Sequence, residues 1–308
     1  MSNIKFDIKR DMPNSRYHYG EDTKDYISST LLKKYLISPK AFKSAYDNHN
    51  IEKETDAFKF GELFHTLMEL RVKREVAIYK YIAVFDAPIN DKTGLPYGST
   101  TKAYKEAYEA FLEDNIVKIV TDAETFDVAT NIVSSLLRKD TQTGVNVNNY
   151  INDAVEVETS FFLTEGTCKL KVRPDLLTEN CIVDWKTTSL EDLSEYNIAN
   201  TIIKYGYDVS LSMYQYVLHK IFGKWFTPIL VFVQKNEPYD CVVVDITEWC
   251  YNNESGFVSM GCGAINFQKI LSKHKECLAS GKWGGIESQL SDFKCIMKPA
   301  IPVWYDNK

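Results

Sequence analysis

Apolar residues recur along this chain with two different periods, and the change of period divides it into three stretches. Residues 1–25 are polar and predict irregular structure. Helical spacing then begins: Ile27-Ser28-Ser29 introduces a short helix from Thr30, with a serine placed to cap it. Ser38-Pro39 breaks that helix, and a second is expected over 40–48. Over 55–71, Phe60, Leu63, Phe64, Leu67, Met68 and Leu70 build the apolar side of an amphipathic helix. A strand is expected at 79–85, then a loop through Pro88, Gly94-Leu95-Pro96 and Gly98, of the kind that moves near a substrate. Helices follow at 100–114 and 122–138, the second opened by Thr121-Asp122-Ala123-Glu124 read as a capping box.

From about 151 to 246 the period shortens to two. Strands are expected over 155–163, 168–177 and 181–186, the last two joined by the turn-type cluster Thr178-Glu179-Asn180. Helices over 189–204, capped by Ser189, and 208–222 separate these from strands at 226–234 and 240–245. The tail from 247 reads as mostly helical to Gly281 and irregular to Trp304. There is no internal repeat. Helices, then a β-meander, then helices and two more strands predict one α/β domain over 1–308. In it a mixed central sheet is flanked by helices, with a helical N-terminal part over 1–150 and a helical tail.

Composition narrows the class. With 44% hydrophobic and 25% charged residues, the 308-residue chain is an ordinary globular protein. No run approaches the roughly 20 apolar residues of a membrane span, and the N-terminus lacks the apolar core of a secretory signal. Seven scattered cysteines without a C-x-x-C pair fit the reducing cytoplasm and argue against a structural zinc or iron–sulfur framework. The net charge of −6 disfavours non-specific nucleic-acid binding. It permits a local acidic centre with a basic rim.

The chemistry concentrates in Val172-Arg173-Pro174-Asp175 and Val183-Asp184-Trp185-Lys186-Thr187-Thr188. In a β-hairpin, residues two apart share a face, so Asp184 and Lys186 point one way and Asp175 can lie opposite on the partner strand. Two carboxylates that converge beside an ammonium are the arrangement of metal-assisted phosphodiester hydrolysis, and their hard oxygens suit Mg²⁺ or Mn²⁺. The plainer reading is a strand-end aspartate and a surface ion pair. Against it, Asp184 interrupts a strand that otherwise looks buried, where an unpaired charge is costly.

Glu158, on the preceding strand, offers a third carboxylate or merely faces solvent with Glu156. His65, one helical turn after Gly61, offers an imidazole to a metal or phosphate if the glycine lets the helix approach the sheet. Lys186 is placed to orient a nucleophilic water and offset phosphorane charge. Tyr207, Ser210 and Tyr214 form one helical stripe that either packs on the sheet or touches DNA, and Arg173 either contacts phosphate or braces the fold. The clusters Lys33-Lys34, Lys40/Lys43, Arg71/Lys73/Arg74 and Lys102/Lys105 could follow a DNA backbone, or simply be solvated helix faces.

These residues resemble a known family. The order Gly61-x-x-x-His65, Glu158-Thr159-Ser160, Arg173-Pro174-Asp175, Asp184-Trp185-Lys186-Thr187-Thr188 is similar to the RecE-type exonuclease VIII group of the PD-(D/E)XK nuclease superfamily, alongside lambda exonuclease and RecB-type domains. Ile27-Ser28-Ser29 with Ser38-Pro39 resembles the family's opening, and Ile301-Pro302-Val303-Trp304 its ending. The resemblance implies a Mg²⁺-dependent exodeoxyribonuclease acting on double-stranded DNA ends. It would work 5′ to 3′ and leave a 3′ single strand for an annealing protein in phage-type recombination, inside a bacterial host. It also implies a homo-oligomeric ring, metal ligation by His65, Asp175, Asp184 and Glu158, and catalysis by Lys186. One departure stands out: relatives carry Gln and Tyr four apart after the hairpin, where this chain has Ser210 and Tyr214, with Gln215 one place off and about 100° away. Rival readings are a Cas4-like or RecB-like repair nuclease acting on single strands, a catalytically idle DNA-end-binding module, and a sequence-specific restriction enzyme.

Overall fold

The computed structural model describes residues 4–48, 55–138, 147–253 and 256–286. The first of these stretches is not irregular. It holds β1 (Ile4–Lys9) and α1 (Asn14–Tyr19). β1 carries no period-two signal because most of its residues stay exposed; it is an edge strand and forms by pairing along Ser160–Glu165, the middle strand of its sheet. α2 (Ser29–Leu32) is capped by Ser28 and α3 (Pro39–Asp47) by Ser38, whose Oγ accepts the Ala41 N–H at 3.0 Å. Pro39 occupies the first turn of α3, where its missing N–H costs nothing, so Ser38-Pro39 starts a helix as much as it ends one.

α4 (Asp56–Val72), capped by Thr55, buries Leu63, Phe64, Leu67, Met68 and Leu70, the face its periodicity predicts. β2 (Ile82–Phe85) is shorter than the 79–85 expected, and the loop after it closes on itself through Tyr97 N–H to Pro88 O at 2.9 Å. α5 (Lys102–Asp114) leads to β3 (Ile119–Asp122), unforeseen from alternation, which pairs parallel to β2. α6 (Ala123–Leu136) is capped by Asp122 rather than Thr121: the carboxylate accepts the Thr125 N–H at 2.8 Å. The short α7 (Val147–Asn152) precedes the sheets.

Two of the expected strands each break in two. Residues 155–163 become β4 (Ala154–Val157) and β5 (Ser160–Glu165); 168–177 become β6 (Cys168–Val172) and β7 (Leu176–Thr178). β8 (Cys181–Thr188) runs two residues beyond its expected end, so the next helix is α8 (Glu195–Tyr205), and Ser189 caps nothing. Gly206, left-handed at φ 61°, joins α8 to α9 (Tyr207–Phe222), and β9 (Thr227–Gln234) and β10 (Cys241–Asp245) follow. Among the described residues the tail from 247 is mostly helical to Gly281, as expected, and opens on a 3₁₀ turn at Thr247–Trp249. A small hairpin of β11 (Tyr251–Asn252) and β12 (Ser259–Met260) precedes α10 (Cys262–Ser280). The Ile301–Trp304 ending lies outside the described residues.

The breaks sort the strands into two sheets. β10-β9-β8-β7-β4 is mixed, with β8 and β9 parallel and α8–α9 as their crossover; β1-β5-β6 is antiparallel. Alternation along β8 and β9 then divides the core. Val183, Trp185, Ile229, Val231 and Val233 meet Phe64 and Met68 of α4 and Ile132 of α6. Ile182, Leu230 and Phe232 meet α9 on the other face. The fold is the expected α/β arrangement with a mixed sheet between helices. No helix among the described residues is long and apolar enough to cross a membrane.

Gln215 is fully committed to this packing. Its Nε2 donates to Phe226 O at 2.7 Å and Tyr251 O at 2.9 Å, and its Oε1 accepts the Tyr251 N–H at 2.9 Å. It therefore ties α9 to β11 and to the start of β9 inside the core. Gln215→Leu strands three buried backbone groups, each worth roughly 1–3 kcal/mol unsatisfied. The variant is expected to unfold at clearly lower denaturant, with a loss of at least about 2 kcal/mol in equilibrium urea unfolding.

Candidate active site

The centre lies where the two sheets part. β4 and β5 are separated by Glu158 and Thr159, β6 and β7 by Arg173-Pro174-Asp175, and the Glu158 N–H donates to the Asp175 carbonyl at 3.2 Å across the two breaks. Glu158 takes φ 47°, a conformation costly for a residue with a Cβ. That turn takes Glu158 off the face it would share with Glu156. Glu156 is paired with Arg10 and Thr159, while the Glu158 carboxylate faces His65.

His65 reaches the same gap from α4. Its Nδ1 lies 3.4 Å from Asp175 Oδ1 and 3.8 Å from Glu158 Oε1. One ligand atom from each of His65, Glu158 and Asp175 falls within 4.8 Å of the others, a spacing that could hold a metal ion. Gly61 does not serve the expected close approach: a Cβ there would meet nothing within 4 Å, so the space at Gly61, one turn before His65, is open.

Register carries Asp184 to the centre. Leu176 pairs with Val183 and Leu177 with Ile182, and continuing that ladder sets Asp175 opposite Asp184, as the hairpin reading predicts. The second Asp175 oxygen accepts the Trp185 N–H at 2.6 Å. Asp184 is ion-paired with Lys186, two residues on and on its own face of β8. The sequence-predicted His65, Glu158, Asp175, Asp184 and Lys186 thus all converge. His65, Glu158 and Asp175 form the tight cluster, and the Asp184–Lys186 pair stands beside it.

These buried charges shift one another. Burial opposes the His65 imidazolium, but Asp175 and Glu158 outweigh it and raise His65 to about 10. Burial lifts Glu158 to about 7. Burial likewise pushes Asp175 up, yet His65 and Lys186 reverse this and hold it below the usual carboxylate range. For Asp184, burial and the neighbouring Asp175 prevail over Lys186 and raise it. Lys186 loses to burial but gains more from Asp184 and Asp175, so it stays an ammonium.

Arg173 turns out to brace the fold instead of reaching for phosphate. Buried to 8% exposure, it donates to Ser160 Oγ, Asn14 Oδ1 and Met12 O at 2.6–2.9 Å and stacks 4.2 Å from the Tyr17 ring. Ser160 of the Glu158-Thr159-Ser160 motif is thereby explained as its acceptor. Tyr214 is half-buried against the α9 core, its phenol raised by burial and then by Asp184. Ser210, half-buried, donates its N–H to Gly206 O. Tyr207 sits beside Lys186, whose Nζ is 5.1 Å from the ring centroid. Gln215 does not substitute for the missing glutamine, since all its bonds lie in the core. Helical spacing could not reveal Tyr205, on the preceding helix, which stacks on Tyr207 across Gly206.

A family model described as a PDDEXK-like domain of unknown function matches residues 28–283. The chain belongs to this family. Its fold is similar to a crystal structure of a protein from Eubacterium rectale named "Putative exonuclease", at TM-score 0.51 and 14% identity, covering 96% of this chain and 98% of that one. No curated protein matches. Membership thus holds at the level of the PD-(D/E)XK superfamily, and the solved structure, at 14% identity, shows a likeness of fold.

A pH dependence follows for the metal-free protein. The value of His65 rises from 6.5 to about 10 on folding, so its contribution to stability is complete below 6.5 and lost as pH climbs through about 10. Urea unfolding at pH 6 and pH 9.5 should show a larger loss for the wild type than for His65→Asn. Equal losses would contradict the imidazolium–carboxylate coupling.

Proposed function

We propose that the protein is a Mg²⁺- or Mn²⁺-dependent exodeoxyribonuclease of RecE-like type. It digests linear double-stranded DNA from its ends, 5′ to 3′, and leaves a 3′ single strand for an annealing protein, working as a homo-oligomeric ring. The observation that carries the hydrolytic part is the convergence of His65, Glu158 and Asp175 within 4.8 Å beside the Asp184–Lys186 pair. Polarity, ring assembly and the annealing partner rest on the resemblance of the ordered motifs.

The donor set fits the ion. Two carboxylates supply the hard oxygens that Mg²⁺ and Mn²⁺ prefer, and one imidazole is better tolerated by Mn²⁺. His65, Glu158 and Asp175 would hold it, with Asp184 as the further ligand. Bound there, the cation supplies Lewis-acid stabilisation of phosphate charge and acidifies water. The side chains do the rest. Lys186 keeps its proton at Nζ, so it acts as a fixed positive charge that orients the attacking water and offsets charge growing on the phosphate oxygens. Asp184 anchors that ammonium, and the Trp185 N–H holds the Asp175 carboxylate in place. His65 must give up its proton to ligate, since the neutral ring is the donor form.

Two measurements test the reading. Linear duplex should disappear with Mg²⁺ or Mn²⁺ while covalently closed plasmid survives, and Asp184→Ala or Lys186→Ala should slow digestion at least about a hundredfold with the fold intact. Cutting of closed circles would instead indicate a restriction enzyme, and full activity in either variant would refute the assignment. Separately, Mn²⁺ binding at pH 8 should release a proton from His65. Calorimetric binding enthalpies would then vary with the ionisation enthalpy of the buffer for the wild type and much less for His65→Asn.

A further inference from the structure

The joint between α8 and α9 does more than pack beside Lys186. Gly206 is left-handed there, and a Cβ on it would lie 2.9 Å from Lys33 Cδ and 3.6 Å from Leu36 Cδ1, so only glycine suits both the bend and its cover. The bend turns Tyr205 onto Tyr207, with ring centroids 5.6 Å apart and planes within 21°. Tyr207 in turn faces the Lys186 ammonium at 5.1 Å. Lys33 stands 5.8 Å from the Tyr207 ring and donates to Tyr205 O at 2.8 Å, while the Lys204 ammonium lies 5.1 Å from the Tyr205 ring. Tyr205 is 49% exposed and Leu36 52%. From Lys186 outward there is thus a ring, then a second ring at the surface, with two further ammonium groups alongside.

Three lysines gather around a stack whose outer ring, Tyr205, is exposed and whose inner ring, Tyr207, is half-buried against the core; Lys186 is paired with Asp184 and Lys33 has Asp208 near it, while Lys204 stands at the surface beside Tyr205. Ring faces stack any base, and ammonium groups neutralise the phosphates between bases. A duplex keeps its base faces inside its own stack, so a flat exposed ring such as Tyr205 matches an unpaired strand. We propose that Tyr205, backed by Tyr207 and flanked by Lys33 and Lys204, forms a stacking track that guides an unpaired DNA strand to Lys186. This rests on the nuclease reading and narrows it: the strand meets the centre already separated from its complement, so frayed or tailed ends are preferred over blunt ones.

The test reads binding without cleavage, by fluorescence anisotropy of a labelled single-stranded oligothymidine with the full chain in EDTA. Tyr205→Leu should weaken binding roughly five- to a hundredfold, the effect of losing one base–aromatic stack, and Tyr205→Phe should stay near wild type. Equal affinity for wild type and Tyr205→Leu, or a phenylalanine variant as weak as the leucine one, overturns the track. Should Tyr205→Leu not fold, Lys204→Gln gives a second reading: it should flatten the slope of log affinity against log salt by about 0.7, and an unchanged slope overturns the proposal. A failed track with metal-dependent digestion of linear DNA intact leaves the nuclease reading standing. Loss of binding in Tyr205→Leu, with no cleavage by the wild type in either metal, removes the nuclease reading and keeps the track.

Discussion

The rest of the structure depends on one backbone contact, the Glu158 N–H to the Asp175 carbonyl, made where two antiparallel ladders part at the same level. A continuous strand pair would keep Glu158 and Asp175 in one pleat and send their side chains where alternation dictates. Parting the ladders frees both carboxylates from that rule, and the left-handed Glu158 completes the turn. Such strain persists only where the surroundings over-determine it. Here Arg173 supplies much of that constraint, tying the departing strands to Ser160, Asn14 and Met12. The three-stranded sheet is therefore part of the site's scaffold even though it contributes no ligand.

Charge balance is the second constraint. Carboxylates this buried are tolerated only when paired, since an isolated charge in a low-dielectric interior is expensive. Asp184 is met by Lys186, and Asp175 by His65 and the Trp185 N–H. Glu158 remains under-compensated, which is why burial dominates its behaviour. The proton on His65 thus occupies the electrostatic role that a divalent cation would fill more completely. Stability without metal and affinity for metal draw on the same side chains.

The functional reading joins these constraints to the surroundings. A family of PDDEXK-like domains whose function is unknown meets here a cluster with the ligand chemistry of phosphodiester hydrolysis, beside an ammonium held in place by its own strand neighbour. The overall acidity of the chain is no obstacle, because binding would depend on the local field around Lys186, Lys33 and Lys204. The resemblance to RecE-type enzymes is partial at α9, where Ser210 stands in the glutamine position and Gln215 is used for packing. Under the proposed function, strand contact on this flank would fall to other side chains, and the Tyr205–Tyr207 stack stands there beside Lys186.

The chemistry and the hairpin were legible in one dimension because they obey short-range rules. Period two places Asp184 and Lys186 on one face, the turn at Thr178-Glu179-Asn180 sets Asp175 opposite, and helical spacing finds the buried side of α4. The ends of the two long strands, the exposed β1 and the parallel β2–β3 pair were not, since an edge strand that buries little leaves no periodic trace. Nor could spacing decide the fate of Arg173 or Gln215, polar residues whose partners lie far along the chain. Local alternation and turn chemistry therefore determined that Asp175, Asp184 and Lys186 could face one point on the hairpin. Only the tertiary structure decided that His65 meets Glu158 and Asp175, because contacts across more than about ninety residues depend on how layers pack and on where a sheet is forced to break.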